Sequence, residues 1–213
     1  ATSTFEHGNK ANFDYTRSGN PNFKILENVL KGIENSNYCT VFNSGISAVT
    51  AIVSSLKSGD TILCESNLYG CTIRMFEKIF RKFGIQTFYF DFTNKEYIQQ
   101  ISKVKPSLIW LESPTNPLLK ILNLKEICSE ANLRKIPVVV DNTFCTAAIQ
   151  KPLELGATLS LISTTKFING HSDALGGAVI TNDESWNNKM IFSQKSLGLN
   201  PSPFDCWLIT RGL

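Results

Sequence analysis

The sequence has few of the features that mark several large classes of protein. None of its apolar runs is long enough to span a bilayer, and no segment resembles a signal peptide. Its 21 lysines and arginines are not clustered, so nucleic acid and anionic membranes are poor candidates as partners. With only two histidines, the chain is also a poor candidate for a multi-histidine metal site, and we expect no metal.

Cysteine motifs are missing too. None of the six cysteines belongs to a C-x-x-C pair; they are Cys39, Cys64, Cys71, Cys128, Cys145 and Cys206. In a chain of this length the spacing favours reduced thiols in the cytoplasm over a disulfide framework or a zinc site. The 213 residues begin without Met and stop inside a helix-like segment, so we expect a fragment of a longer protein.

What the chain does contain is an alternation of apolar runs and helix-like patterns. Runs such as "TILC", "LIWL" and "PVVV" are typical of parallel strands buried on both faces, and the alternation predicts an α/β protein with a doubly covered sheet. One predicted helix runs through "GISAVTAIVSSLKSGD" and ends at Gly59. Another runs through "YGCTIRMFEKIFRKFG", with one apolar face formed by Ile73, Phe76, Ile79, Phe80 and Phe83.

The candidate functional residues follow the apolar runs directly. In open α/β sheets, ligands bind beyond the carboxyl ends of the strands, so polar residues at those points are expected to meet at one site. The segments concerned are Ser44-Gly45, Asn67 to Tyr69, Glu112 to Asn116, Asp141 to Thr143 and Ser163 to Lys166.

The segment "NSGIS" suits an anion. It opens a helix after a strand, so the backbone N–H groups of Gly45 and Ile46 are expected to be unpaired, which is the arrangement that binds phosphate. The alternative is an ordinary helix cap formed by Ser44. Neither G-x-G-x-x-G nor G-x-x-x-x-G-K-[ST] occurs, which disfavours a dinucleotide or nucleoside triphosphate as the ligand.

Two charged residues end later strands. Asp141 follows "PVVV", where a carboxylate needs a cation or several donors unless it caps nearby amides. Lys166 follows "SLISTT" and is either a structural lysine or a nucleophilic amine. Strand alternation is expected to place the hydroxyls of Ser163 and Thr165 on one face, where both could contact one phosphate.

Together these groups match the needs of one cofactor. Pyridoxal phosphate requires a phosphate cradle, a lysine that binds it covalently, and a carboxylate that keeps its pyridine nitrogen protonated. Tyr69 supplies an aromatic ring to stack on the cofactor. The combination is far more specific than any single member.

The motifs also resemble a known family. "YTRSGNP", "SGISA", "LYGCT", "ESPTNP", "VVVDNTF" and "STTKFINGHSD" are similar, in order and over essentially the whole chain, to the Cys/Met-metabolism pyridoxal-phosphate enzymes. These include cystathionine γ-synthase, cystathionine γ-lyase, cystathionine β-lyase and methionine γ-lyase. The resemblance implies a fold-type I, three-layer α/β domain with a mostly parallel, doubly covered sheet. It also implies an N-terminal segment, 1–20, that reaches a neighbouring subunit, and a large cofactor-binding domain, 21–213, without the smaller C-terminal domain.

The resemblance assigns roles to individual residues. It implies Lys166 as the cofactor-binding lysine and Tyr69 as the stacking ring, both of them catalytic. It implies Asp141 as the partner of the pyridine nitrogen. The other implied cofactor contacts are Ser44, Gly45, Ile46, Ser163 and Thr165 at the phosphate, Asn116 near the phenolic oxygen with Glu112 in support, Thr143 beside the ring, and Tyr15 and Arg17 at a neighbour's phosphate. A tetramer with active sites shared between subunits is therefore expected.

Two positions depart from the family pattern. Cys71 stands where many relatives have Gly; the same "LYGCT" is similar to methionine γ-lyase, whose cysteine lines the substrate pocket, although a buried structural cysteine is the interpretation we favour. Asn22 stands where Thr is usual. The expected activity is elimination or replacement at Cβ or Cγ of a sulfur amino acid, as in cystathionine γ-lyase or γ-synthase. Methionine γ-lyase, cystathionine β-lyase and a non-catalytic α/β ligand-binding domain are the alternatives.

Overall fold

The computed structural model describes residues 2–8 and 13–213, which divide into two compact units. The first unit comprises residues 1–52 and 162–213, and the second comprises residues 53–161. The helices in the described residues are α1 (Pro21–Glu34), α2 (Gly45–Val53), α3 (Gly70–Lys78), α4 (Tyr97–Val104), α5 (Leu124–Leu133), α6 (Thr146–Ile149), α7 (Glu184–Ser196) and α8 (Pro203–Gly212). The strands are β1 (Tyr38–Phe42), β2 (Thr61–Glu65), β3 (Gln86–Phe90), β4 (Leu108–Glu112), β5 (Val138–Asp141), β6 (Leu159–Ile162) and β7 (Gly177–Thr181). No helix in this described part has the length and apolar character needed to cross a membrane.

The second unit is built on parallel strands. Its spatial order is β3-β2-β4-β5-β6, and every neighbouring pair in that order is parallel. Strands β1 and β7, in the first unit, pair antiparallel. The seven-stranded sheet is therefore mostly parallel, which confirms the predicted α/β class.

Apolar residues cover both faces of β4. Ile109 and Leu111 are fully buried in a cluster that includes Ile101 of α4 and Ile127 of α5. Trp110 points the other way, because successive strand residues alternate between faces. Its ring meets Phe76 of α3 edge-on at 5.3 Å between centroids. Helices thus pack on both sides of this strand, as its uninterrupted apolar run predicts.

The first unit places α1 and α8 against each other. Helix α1 begins where Asn20 accepts a hydrogen bond from the N–H of Asn22, the usual chemistry of an N-cap. The side chain of Asn22 donates to the carbonyl of Pro203, the first residue of α8, at 2.9 Å. Asn22 therefore joins the starts of both helices, which gives a structural reason for this departure from the family pattern.

We expect the Asn22→Ala variant to lose about 1 kcal/mol of unfolding free energy, since it removes one partly buried hydrogen bond and leaves the Pro203 carbonyl without its donor. Urea unfolding followed by far-UV circular dichroism measures the change. A midpoint identical to that of the wild type would show that the contact does not stabilise the pair of helices.

Two predicted helices are shorter in the structure than the sequence indicates. Helix α2 ends at Val53 rather than at Gly59, and the N–H of Leu56 turns back to the Val53 carbonyl. Helix α3 ends at Lys78, and a 3₁₀ turn occupies Phe80–Phe83. Because a 3₁₀ turn has three residues per turn, it breaks the predicted apolar face. Ile79 and Phe83 are consequently 49% and 65% exposed.

Candidate active site

The second unit brings two buried carboxyl groups together at the ends of neighbouring strands. Glu112 ends β4, Asp141 ends β5, and the two residues are register partners. They are only 6% and 7% exposed. Burial, followed by the charge of Asp141, raises the pKa of Glu112 to about 8. Burial also raises the pKa of Asp141, although hydrogen bonds from Thr143 oppose the shift. The pair is an electrostatically costly arrangement that a cation would relieve.

The hydrogen bonds of Asp141 come from one residue. Both the backbone N–H and the hydroxyl of Thr143 donate to the same oxygen, Oδ1, at 3.1 and 2.6 Å. In residues 2–8 and 13–213 no salt bridge to Asp141 is formed. Asp141 thus retains a carboxylate oxygen, Oδ2, with which to accept a hydrogen bond from a cationic ligand. Thr143, predicted as a neighbour of the ring, serves in this structure to orient Asp141.

Tyr69 lies beside this pair, at the start of α3. Its backbone N–H donates to Oε2 of Glu112 at 2.8 Å, and its side chain is 47% exposed. A hydrogen bond with Cys71 is the main cause that raises the pKa of the Tyr69 phenol. The phenol therefore keeps its proton at neutral pH and is suited to donate it.

Cys71 is not the buried structural cysteine that we favoured from the sequence. Its side chain is partly exposed, and its Sγ accepts a hydrogen bond from Nη1 of Arg74 at 3.5 Å. The difference arises because Cys71 lies in the first turn of α3, next to the exposed ring of Tyr69.

Asn116 lies in a braced loop after β4. The hydroxyl of Ser113 accepts the N–H of Leu122, and the hydroxyl of Thr115 accepts the N–H of Lys120. Gln150, which sequence reasoning missed, donates to the carbonyl of Ser113 and to the side chain of Asn142. No local motif marks Gln150, since its role depends on where α6 ends relative to β4 and β5.

In the first unit, the start of α2 has the Ser44 cap that the sequence offers as an alternative, and its role as a phosphate site stays a prediction. Ser44 Oγ accepts the N–H of Ser47 at 3.2 Å, so Ser44 caps the helix. The N–H groups of Gly45 and Ile46 belong to the first turn, where a helix offers no internal acceptor. These two donors and the helix dipole suit a phosphate.

Gly45 permits a close approach between two segments of this unit. A Cβ at position 45 would lie 2.8 Å from Cβ of Ser163 and 3.1 Å from its Oγ. Real Cβ atoms essentially never come so near, so any side chain at position 45 would force Ser163 away. The structure therefore brings Ser163 to the start of α2, as the phosphate prediction requires.

The segment that carries Lys166 is a turn, not a strand. Strand β6 ends at Ile162, so the alternation predicted for Ser163 and Thr165 is wrong. The Thr165 hydroxyl donates to the carbonyl of Gly176 and accepts its N–H, and its contact with a phosphate stays a prediction. Lys166 itself is exposed, and Gly170 donates to its carbonyl at 2.8 Å.

A side-chain network that sequence reasoning did not identify braces the same turn. Asn169, fully buried, donates to Asp173 at 3.0 Å, and Arg211 of α8 forms an ion pair with Asp173 at 2.5 Å. His171 Nδ1 lies 2.6 Å from the Asn169 carbonyl. The motif "NGHSD" was the available signal, because closely spaced Asn, Ser and Asp residues form local hydrogen bonds.

Tyr15 and Arg17 lie near each other on the surface of the first unit. Tyr15 forms an isolated bridge with Thr4, and the Arg17 guanidinium lies 5.4 Å from the centroid of the Tyr15 ring. Nη1 of Arg17 donates to the carbonyl of Lys195 at 3.0 Å. Within one chain both residues are thus on an accessible surface, and their contact with a neighbouring subunit stays a prediction.

Comparison with known proteins identifies the family. The family model described as "Cys/Met metabolism PLP-dependent enzyme" matches residues 1–213. The chain belongs to this family. It is 39% identical over 215 residues to a probable cystathionine gamma-synthase of Herpetosiphon aurantiacus, covering 100% of this chain and 67% of the relative. It is 40% identical over 208 residues to the cystathionine gamma-lyase of Homo sapiens, covering 97% of this chain and 51% of the relative.

Solved structures of this family share the fold. The chain is similar to the cystathionine gamma synthase of Xanthomonas oryzae pv. oryzae in complex with aminoacrylate and cysteine, with a TM-score of 0.95 and 38% identity. The match covers 100% of this chain and 56% of that one, which confirms the predicted fold-type I class. The chain spans about half to two thirds of the length of the relatives it matches.

The residues present fit the cofactor named by the family. In the second unit, the buried carboxyl of Asp141 has an acceptor oxygen for a protonated pyridine nitrogen. In the first unit, the missing Cβ of Gly45 lets Ser163 come close to the start of α2, where the first-turn N–H groups suit a phosphate. Each observation concerns a different part of pyridoxal phosphate.

Proposed function

We propose that this chain is the cofactor-binding part of a pyridoxal-phosphate-dependent trans-sulfuration enzyme. Its reaction is elimination or replacement at Cβ or Cγ of a sulfur-containing amino acid, and cystathionine γ-lyase or γ-synthase is the best candidate. The observation that carries the proposal is the buried carboxyl of Asp141, which ends a parallel strand and has no cationic partner among the residues that the structure describes. The named relatives, a synthase and a lyase of cystathionine, support the choice of substrate class.

The first unit would supply the phosphate site and the amine. The N–H groups of Gly45 and Ile46 donate to the phosphate, with Ser44 capping the helix and Ser163 alongside. The ε-amine of Lys166 would hold the cofactor through its aldehyde carbon, with release of water, and as a free amine would take the proton from the α-carbon of the substrate. Thr165 holds the turn through Gly176, and its hydroxyl is proposed as a further phosphate contact.

The second unit would supply the contacts to the ring. When bound, pyridoxal phosphate withdraws electrons from the α-carbon of the substrate through its protonated ring. Asp141 keeps the proton on the pyridine nitrogen, and Thr143 orients Asp141. Tyr69 stacks on the ring, and its protonated phenol donates to the departing group. Asn116 is proposed to donate to the phenolic oxygen.

The assembly proposed for the whole protein is a tetramer in the cytoplasm. Tyr15 and Arg17 would reach the phosphate of a neighbouring subunit, and their surface location in this chain supports that role. An arginine suits it because a guanidinium binds phosphate with two parallel hydrogen bonds. All six cysteines are unpaired, which is typical of a reducing compartment.

Methionine γ-lyase activity is the second candidate. Its support is the location of Cys71, which is partly exposed in the first turn of α3, close enough to Tyr69 to raise the pKa of its phenol. A thiol there would line the substrate side of Tyr69 and contact an apolar thioether.

Product analysis distinguishes these activities. The full-length protein, saturated with pyridoxal phosphate, is given cystathionine, methionine, or an O-acylhomoserine with cysteine. Cysteine and 2-oxobutyrate from cystathionine indicate the γ-lyase, and formation of cystathionine from the acylhomoserine indicates the γ-synthase. Methanethiol from methionine indicates the second candidate, and homocysteine with pyruvate indicates a β-lyase. The absence of any product would contradict the proposed function.

The Gly45→Ala variant tests the phosphate site. We expect its dissociation constant for pyridoxal phosphate to rise about tenfold or more, because the added methyl group meets Ser163 at 2.8 Å and overpacking costs about 1–3 kcal/mol. Cofactor absorbance in an equilibrium titration measures the constant.

Gly32→Ala is the matched control. An added Cβ at position 32 has no atom within 4 Å, so this variant should bind the cofactor as the wild type does and unfold at an equal or slightly higher temperature. Equal cofactor affinity in both variants would contradict the role of Gly45 in the phosphate site.

A further inference from the structure

Tyr69 begins α3 without the side chain that usually begins a helix. N-cap positions favour Ser, Thr, Asp and Asn, whose side-chain oxygens accept an N–H from the first turn. Tyr69 makes no such bond. Its own N–H is instead held from outside the helix, by the carboxylate of Glu112 at 2.8 Å. The location of the Tyr69 backbone therefore depends on a residue of another element.

Strand β4 contacts α3 at two points along one face. Trp110 and Glu112 are two residues apart, so their side chains point to the same side of the strand. Trp110 packs edge-on against Phe76 at 5.3 Å, and Glu112 binds the N–H of Tyr69. The apolar contact fixes the body of the helix, and the polar contact fixes its first residue.

Glu112 is also next to Asp141 in the sheet. The two are register partners on parallel strands, so their side chains extend on the same face. The charge of Asp141 is the second cause, after burial, that raises the pKa of Glu112. The buried carboxyl of Glu112 thus accepts a hydrogen bond from the backbone N–H of Tyr69, and its pKa depends on the charge of Asp141.

We propose that Glu112 is a positioning residue that links the stacking ring of Tyr69 to the charge partner Asp141 through the end of β4. The inference rests on the proposed function, which gives these two residues their roles. Glu112 touches neither substrate nor cofactor in this role. It sets the location of Tyr69 through a hydrogen bond and the charge environment of Asp141 through its own protonation.

Amide hydrogen exchange without cofactor tests the link directly. In Glu112→Ala the Tyr69 amide loses its acceptor, and we expect it to exchange about tenfold faster, the upper end of what the net loss of one hydrogen bond gives. Glu112→Gln keeps a side-chain oxygen, so its exchange should rise by less than roughly threefold. Wild-type exchange at Tyr69 in Glu112→Ala would overturn the inference.

Glu65→Ala is the matched control, because Glu65 is an equally buried carboxyl at the end of β2. It accepts the amides of Asn67 and Phe92 at 3.0 and 2.9 Å. In this variant those two amides should exchange faster while Tyr69 stays protected. Faster exchange at Tyr69 in both variants would show general loosening and would contradict a specific link.

The pH dependence of stability tests the charge role and uses only the isosteric Glu112→Gln variant. The groups that face Glu112 are Asp141 of β5, Glu65 of β2 and Tyr69 of α3. Since the folded protein holds the Glu112 proton more tightly than the unfolded chain, this group contributes stability at low pH. That contribution is lost as pH rises from 4.5 to about 8.

We therefore expect the unfolding midpoint of wild-type protein to fall over this range, and the fall to be shallower in Glu112→Gln. Equal slopes would overturn the charge role.

Cofactor affinity gives the remaining readout. Pyridoxal phosphate should bind Glu112→Gln within roughly threefold of wild type and Glu112→Ala about tenfold more weakly. If wild-type protein binds no pyridoxal phosphate, the proposed function fails, whereas the exchange experiment still decides the link.

Discussion

Replacing Lys166 with alanine is expected to lower turnover by at least roughly 10³-fold, since a positioned acid or base contributes about 10²–10⁴-fold and this residue would also bind the cofactor covalently. The variant should nevertheless fold. Lys166 is exposed, and exposed substitutions usually change the unfolding free energy by less than about 0.5 kcal/mol. Steady-state kinetics with the substrate identified by product analysis, together with thermal unfolding, measures both effects.

Two further variants sharpen this prediction. Lys166→Arg should be equally inactive, because a guanidinium stays protonated and cannot act as a nucleophile or base. Lys151→Ala removes a lysine that is 34% exposed and near Glu154, and it should keep wild-type activity. Activity above a tenth of the wild-type value in Lys166→Ala would exclude Lys166 as the reacting amine.

The second large effect is expected at Asp141. In Asp141→Asn the pyridine nitrogen loses its charged partner, and turnover should fall about 10²–10³-fold, as when one preorganised electrostatic contact is removed. The cofactor-free variant should be at least as stable as wild type, because the change removes one of two adjacent buried carboxylates. The pKa of Glu112 should also fall, since the charge of Asp141 is one cause of its elevation.

Asp91→Asn is the control for Asp141. Asp91 is 40% exposed and pairs with Lys120 on the surface, so its substitution should leave turnover unchanged. Loss of stability together with loss of activity in Asp141→Asn would contradict the account, because it would indicate that the carboxylate supports the fold rather than a ligand.

The strand-end residues of the second unit were predictable from the sequence. Glu112 and Asp141 each follow an uninterrupted apolar run, and both runs are buried parallel strands in the structure. What the sequence does not show is that the two residues are register partners. Strand order places β4 between β2 and β5, and such non-local pairing leaves no local pattern. The link from Glu112 to the amide of Tyr69 is hidden for the same reason.

The segment around Lys166 shows where periodicity fails. Ser163 and Thr165 continue the alternation of β6, and threonine favours strands, so the sequence predicts a strand that is too long. In the structure the chain turns after Ile162, and the backbone of Gly176 binds both the donor and an acceptor site of the Thr165 hydroxyl. Contacts 11 residues apart along the chain outweigh the local preference. The apolar face predicted through Phe83 fails for a similar reason. The prediction assumes 3.6 residues per turn, whereas Phe80–Phe83 form a 3₁₀ turn.

The residue to which the cofactor is attached covalently is the most direct evidence for or against Lys166 as the reacting amine. The full-length protein is incubated with pyridoxal phosphate, reduced with borohydride so that the bond to the amine becomes permanent, digested and analysed by mass spectrometry. We expect one modified peptide, with the cofactor on Lys166 within "STTKFINGHSD". Modification spread over surface lysines, or none at Lys166, would contradict it.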